Sequence, residues 1–128
     1  MITKETTLLG QQVTLGYCYA SEISYKLLAE EELSPFLNSV REFIAKKQEV
    51  IPDARKTIFA ILAATNAYYE SKGEECPISD KQLMYDATPD ELGAALGMLL
   101  LAWAEFYKLM PGAEEKKPKK KAGKGKNS

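Results

Sequence analysis

The chain reads as a mainly α, α+β domain that opens with a β-hairpin and ends in a disordered basic tail. Three observations predict this. Val13, Leu15, Tyr17 and Tyr19 alternate with Gln12, Thr14, Gly16 and Cys18, the period of a half-buried strand. Helix-capping signals then recur at Ser21, Ser34-Pro35, Asp53 and Thr88, each ahead of apolar residues at helical spacing. Finally, residues 111–128 carry seven lysines and two acids, with no aliphatic or aromatic side chain larger than alanine beyond two prolines. Such a segment cannot bury enough area to offset its chain entropy. The organisation expected is one helical domain with its hairpin over 1–112 and a lysine-rich tail over 113–128.

Thr6-Thr7-Leu8-Leu9 is expected to be the first strand, with Gly10-Gln11 as the turn, because glycine supplies the positive φ that short hairpin loops need. A two-stranded ribbon is marginal alone, so it must lie on helices or pair with another chain. Ser21 is placed as the cap of a short helix, Glu22 to Ala29, with Ile23, Leu27 and Leu28 facing inward. Glu30-Glu31-Glu32 then reads as a solvated turn. Ser34-Pro35 predicts the next helix, with Phe36, Leu37, Val40, Phe43 and Ile44 on its apolar side and an end near Lys46-Lys47.

Beyond Pro52, Asp53 caps a long helix to about Lys72, and Gly73 is its left-handed stop. Pro77-Ile78-Ser79 leads into a short helix, Asp80 to Tyr85. Thr88-Pro89-Asp90-Glu91 is a capping box with proline at the first helical position. The helix it opens is expected to run to Met110, stop at Pro111-Gly112 and pack against 53–72 as a central pair. Gly93, Ala94, Ala95 and Gly97 form a small-residue patch that another helix can approach closely.

Composition excludes several functions. The chain has no histidine, which removes the commonest general base and metal ligand. Cys18 and Cys76 are too few and too far apart for a zinc set or a disulfide framework, and read as reduced. No phosphate-cradling glycine motif occurs. No catalytic, cofactor or metal residue is nominated, and the protein is expected not to be an enzyme. The acid pairs Asp86/Asp90 and Glu74/Glu75 are explained by turns and caps. The N-terminus lacks the apolar core of a signal peptide, and the longest apolar run is too short to span a bilayer, so a cytoplasmic setting is expected.

Charge is split along the chain. Of 17 basic and 18 acidic residues, taking away the tail's seven and two leaves a body at −6 beside a tail at +5. Such a tail can serve a nucleic-acid-associated regulator through counterion release, but it lacks aromatics and sits on an acidic body. The segment 79–103 has helix-turn-helix order, yet its second helix offers Asp90 and Glu91 and no cation to base edges. Tyrosine and tryptophan are enriched at interface centres, and Tyr17, Tyr19, Tyr68 and Tyr107, with Gly93 and Gly97, are nominated as protein-binding residues.

The run Val13-Thr14-Leu15-Gly16-Tyr17-Cys18-Tyr19-Ala20-Ser21-Glu22-Ile23-Ser24-Tyr25 and the segment Ala87-Thr88-Pro89-Asp90-Glu91-Leu92 resemble the bacteriophage tail assembly chaperones, as does the stripe Leu99 to Trp103. The resemblance spans Thr6 to Met110 and is one of pattern and order. It implies a small cytoplasmic helper that coats the tape-measure protein, keeps it soluble and recruits tail-tube subunits. Self-association through an uncovered hairpin edge is a further expectation.

Overall fold

The computed structural model describes residues 1–46 and 53–109. The tail at 113–128 and the stop at Pro111-Gly112 lie outside the described residues, as do Lys47 and Pro52. Among the described residues, two strands, β1 (Ile2–Leu8) and β2 (Gln11–Tyr17), precede five helices: α1 (Tyr19–Ala29), α2 (Leu33–Ala45), α3 (Ala54–Ser71), α4 (Asp80–Asp86) and α5 (Pro89–Phe106). The mainly helical α+β class with an N-terminal hairpin is therefore the observed one.

The hairpin is antiparallel, in register from Ile2 opposite Tyr17 to Leu8 opposite Gln11. Its loop is Leu9-Gly10, one residue earlier than expected, with φ of 55° and 76°. A two-residue loop with positive φ at both centres matches the right-handed twist of its strands, so Leu9 adopts the left-handed region despite its side chain. Val13, Leu15 and Tyr17 are sealed from solvent, while Thr3, Glu5, Thr7 and Gln12 on the opposite face are exposed. The hairpin lies on helices, α3 against β2 and α5 against β1. α3 and α5 do meet, but each packs more extensively on the hairpin than on the other. The small residues that let α5 come close are the buried Ala95 and Ala102. Among the described residues, nothing beyond the local helix backbone and chain neighbours lies within 4 Å of where a Cβ on Gly93 or Gly97 would sit.

The helix ends follow local chemistry. Thr88 and Glu91 form the expected capping box, each amide donating to the other's side chain at 3.2 Å. The second Glu91 oxygen also accepts from the Gly10 amide at 3.4 Å, which ties the hairpin loop to the start of α5. Ser79 and Gln82 make a second such box ahead of α4. The Asp53 carboxylate accepts from the Lys56 amide at 3.2 Å, as expected of a cap. α3 closes with Gly73 at φ +70°, the Glu74 amide reaching back to the Tyr69 carbonyl at 2.9 Å.

α5 stops at Phe106, short of the expected Met110, and is about 27 Å long at ~1.5 Å per residue. Lys108 takes the left-handed position at φ +58°, and the Leu109 amide bonds the Ala104 carbonyl at 2.7 Å. This is the closure glycine usually makes, built here on a lysine.

Two helices start ahead of the serines expected to cap them, α1 behind Cys18 and α2 behind Glu32. Ser21 lies inside α1, fully buried, donating to the Gly16 carbonyl at 2.6 Å and accepting from the Cys18 amide at 3.1 Å. Ser34 lies in the first turn of α2 and accepts the Trp103 indole N–H at 3.1 Å.

Candidate protein-binding face

α1 buries the side that its apolar pattern does not name. Ser21, Tyr25 and Ala29 face the core at spacings of four. Ile23 and Leu27, expected inside, are 63% and 79% exposed, and Tyr19 in the same row is 64% exposed. Leu28 is only half-buried. The physical cause is that small Ser21 and Ala29 let α1 lie close to α3 and the end of the hairpin, while Tyr25 carries the packing between them. Its ring stacks on Phe36 with centroids 5.9 Å apart, and its hydroxyl donates to Glu31 at 2.6 Å. Among the described residues, the outer side is left as an exposed row of three large apolar side chains, Tyr19-Ile23-Leu27.

The end of α5 extends this row. Tyr19 meets Phe106 edge-on at 5.3 Å, and Phe106 meets Tyr107 at 5.0 Å. The Tyr107 hydroxyl donates to the Glu22 carboxylate, which also accepts from Tyr17 at 2.6 Å and lies 3.5 Å from the Ser34 hydroxyl. Hydroxyls from β2, α2 and the residue closing α5 therefore converge on one carboxylate of α1. Burial pushes the Tyr17 phenol well above its ordinary range, with the Glu22 hydrogen bond adding to it. For Tyr107 the bond to Glu22 is the larger cause of an upward shift and burial the smaller. Both phenols therefore stay neutral as donors, and the cluster joins the end of α5 to α1.

The nominated residues separate into three places. Tyr19 and Tyr107 come together, joined through Phe106. Tyr17 is in the core at 0% exposure and offers no surface to a partner. Tyr68 is half-buried on α3, its Cβ near Gly16 and its ring edge-on to Tyr69 at 4.9 Å. Gly93 and Gly97 lie on an open flank of α5 where Leu101 is also exposed, two or more turns before Tyr107. Sequence reasoning missed Ile23 and Leu27 because it assigned them to the core. The legible signal was the competing row Ser21-Tyr25-Ala29, whose small residues permit close helix approach.

The hairpin edges differ from each other. β2 is covered on its free side, where the Thr14 amide donates to the Tyr69 hydroxyl at 3.3 Å. Among the described residues, β1 has no second strand beside it. Its Lys4 sits in the core-facing row and pairs with Glu105 of α5. An inward-turned charge in mid-strand disfavours sheet extension by another chain, so this edge is the weaker interaction surface.

Elsewhere, a shallow cleft of about 300 Å³ is lined by Glu31, Glu32, Pro35, Phe36, Ser39 and Lys56. Its charges are already engaged, Lys56 with Glu31 at 3.1 Å and Lys26 with Glu32 at 2.5 Å. Among the described residues, no group of three or more cysteines and acids is placed to hold a metal ion, and no helix is long and apolar enough to cross a membrane. Both cysteines are free, and burial raises the Cys76 thiol above its ordinary value. Comparison with protein-family models, with curated proteins and with solved structures gives no match.

Proposed function

We propose that this protein is a non-catalytic binding module of the phage tail-assembly chaperone type, which holds helical segments of a tape-measure protein and helps recruit tail-tube subunits. The observation that carries the reading is the row Tyr19-Ile23-Leu27, exposed on a helix whose other side is fully packed. Recognition of an apolar helix needs anchors at helical spacing and no reacting groups. The row also stands where local sequence preference and the fold disagree. Such conflicts concentrate at functional surfaces, where stability is given up for binding. The order of elements, hairpin then capped helices then a Trp-containing last helix, supports the same reading.

Co-expression with the tape-measure protein of the same phage or prophage tests it. The expected result is soluble tape-measure protein that co-purifies with the wild-type chain and is lost with Ile23→Asp. A tape-measure protein equally insoluble with and without this chain removes the reading.

A further inference from the structure

We infer that the α1 row takes an amphipathic helix whose apolar stripe is bounded, one turn on, by lysine or arginine, and that Glu30 receives that cation. The inference rests on the binding reading above and adds the chemistry of the partner. Tyr19, Ile23 and Leu27 are exposed at spacings of four, and span about 12 Å at ~1.5 Å per residue. Three such anchors match the stripe of a second helix, which presents its own side chains at the same spacing. Glu30 follows one turn beyond Leu27 and closes α1 in the left-handed conformation at φ 61°. It is exposed, and among the described residues no cation lies within ion-pair distance of it.

The charges around the row select its occupant. At the Leu27 end Lys26 is paired with Glu32, and Lys56 with Glu31, which leaves the Glu30 carboxylate over. The carbonyls that end α1 add partial negative charge at the same place. At the Tyr19 end Glu22 is held by the hydroxyls of Tyr17 and Tyr107, and Lys108, next in the chain to Tyr107, brings a cation to that end. Negative charge is therefore uncompensated beyond Leu27 and balanced beyond Tyr19. A wholly apolar helix laid on the row would take water from the Glu30 carboxylate and give it no partner, which costs free energy. A lysine or arginine one turn past the stripe meets that carboxylate while the stripe covers the row.

A second copy of this chain fits the row less well. Residues 1–110 hold 10 basic and 16 acidic side chains, so two bodies at −6 repel where a basic helix is attracted. A stable dimer also buries about 800 Å² per partner from roughly 20–30 residues a side. Three or four side chains in one row fall far short, whereas a bound helix needs only a few anchors. The unpaired carboxylate opposes an anionic membrane surface in the same way.

The test uses the full chain and two fluorescent synthetic helices of about 18 residues, five turns. Both carry one leucine stripe. One has lysine a turn beyond the stripe at each end, so that either orientation brings a cation to Glu30, and the other has glutamine there. Fluorescence anisotropy should show the lysine peptide binding roughly fivefold more tightly, the upper end of what an exposed ion pair provides. Glu30→Gln should erase that preference and Glu30→Lys should reverse it. Because one position changes on each side, charges elsewhere in the two chains cancel from the comparison. Ile23→Asp and, separately, Leu27→Ser should abolish binding of both peptides while leaving the melting curve in place, since both side chains are exposed. Raising salt from about 0.01 M to about 1 M should erase the preference and leave both peptides bound, as the screening length falls from roughly 30 Å to roughly 3 Å.

Equal affinity for both peptides, a preference that survives Glu30→Gln, or indifference to Ile23→Asp overturns the inference. So does binding to phosphatidylglycerol vesicles in place of either peptide, or a dimer that Ile23→Asp dissolves. If the lysine peptide is preferred through Glu30 but the tape-measure protein is not solubilised, the partner chemistry stands and the chaperone reading falls. If the tape-measure protein is solubilised, Glu30→Lys leaves that unchanged and neither peptide is preferred, the chaperone reading stands and the partner chemistry falls.

Discussion

The indole N–H of Trp103 donates to the hydroxyl of Ser34 at 3.1 Å, joining α5 to the first turn of α2. Arg41 lies over the same indole, 5.4 Å from the ring centre. Ser34 in turn lies against Glu22, so one polar chain runs from the last helix to the carboxylate beneath the apolar row. Trp103→Phe keeps an aromatic ring and removes the donor. Urea unfolding should show a loss of about 1 kcal/mol for the hydrogen bond, plus the smaller ring's lost packing. In a double-mutant cycle with Ser34→Ala, a coupling of about 0.5–1.5 kcal/mol is expected, and strict additivity would refute the contact.

Gly16 is a close approach between β2 and α3. A Cβ there would sit 2.6 Å from the Met1 sulfur and 3.2 Å from the Tyr68 Cβ. The Met1 side chain can swing away, but the Tyr68 Cβ is fixed to its helix. Gly16→Ala is therefore expected to cost about 1–3 kcal/mol, the usual range for overpacking. An unchanged urea midpoint would show that α3 shifts freely.

Lys108 and Gly73 hold the same left-handed position after their helices, one with a side chain and one without. Lys108→Gly should raise stability by roughly 0.5–1 kcal/mol, and Gly73→Ala should lower it by about as much. Thermal melts of the two variants should move in opposite directions. Movement in the same direction would mean that the closures are held by something other than backbone preference.

Tyr25 and Glu31 make a pH-dependent pair. The hydrogen bond from Tyr25 is the main cause that holds the Glu31 carboxyl below its ordinary value, with Lys56 adding to it. A depressed carboxyl contributes stability that is complete above the ordinary range near ~4.3 and is lost as pH falls below it. Burial first, and the Glu31 bond second, push the Tyr25 phenol up. Its contribution is complete below ~10 and is lost at higher pH. Tyr25→Phe should move the Glu31 titration upward, as read by carboxyl NMR shifts, and should steepen neither limb of the stability profile. A Glu31 titration unmoved by the change would rule out this coupling.

Much of the fold is legible in the sequence. The alternation at Val13, Leu15 and Tyr17, the Asp53 cap, the Gly73 stop and the Thr88–Glu91 box are each written within a few residues of chain. Local geometry decides them, because a cap or a pleat needs only its immediate neighbours. The reach of β1 back to Ile2 was missed because Thr3, Lys4 and Glu5 look like a polar end. Their register comes from β2, and Lys4 gains its place from Glu105, far away in the chain.

The exposed row on α1 was not legible in the same way. Sequence alone determined that α1 is amphipathic, that the chain is acidic in its body and basic at its end, and that histidine chemistry is absent. Only the tertiary structure decided which side of α1 faces in. Ile23 and Leu27 are the greasier choice, but Ser21 has a buried carbonyl to satisfy and Ala29 permits close packing. Tyr25 has both a ring partner in Phe36 and a carboxylate in Glu31. Hydrogen bonds and shape between distant segments outweighed hydrophobicity within one helix, and that outcome left the apolar row on the surface.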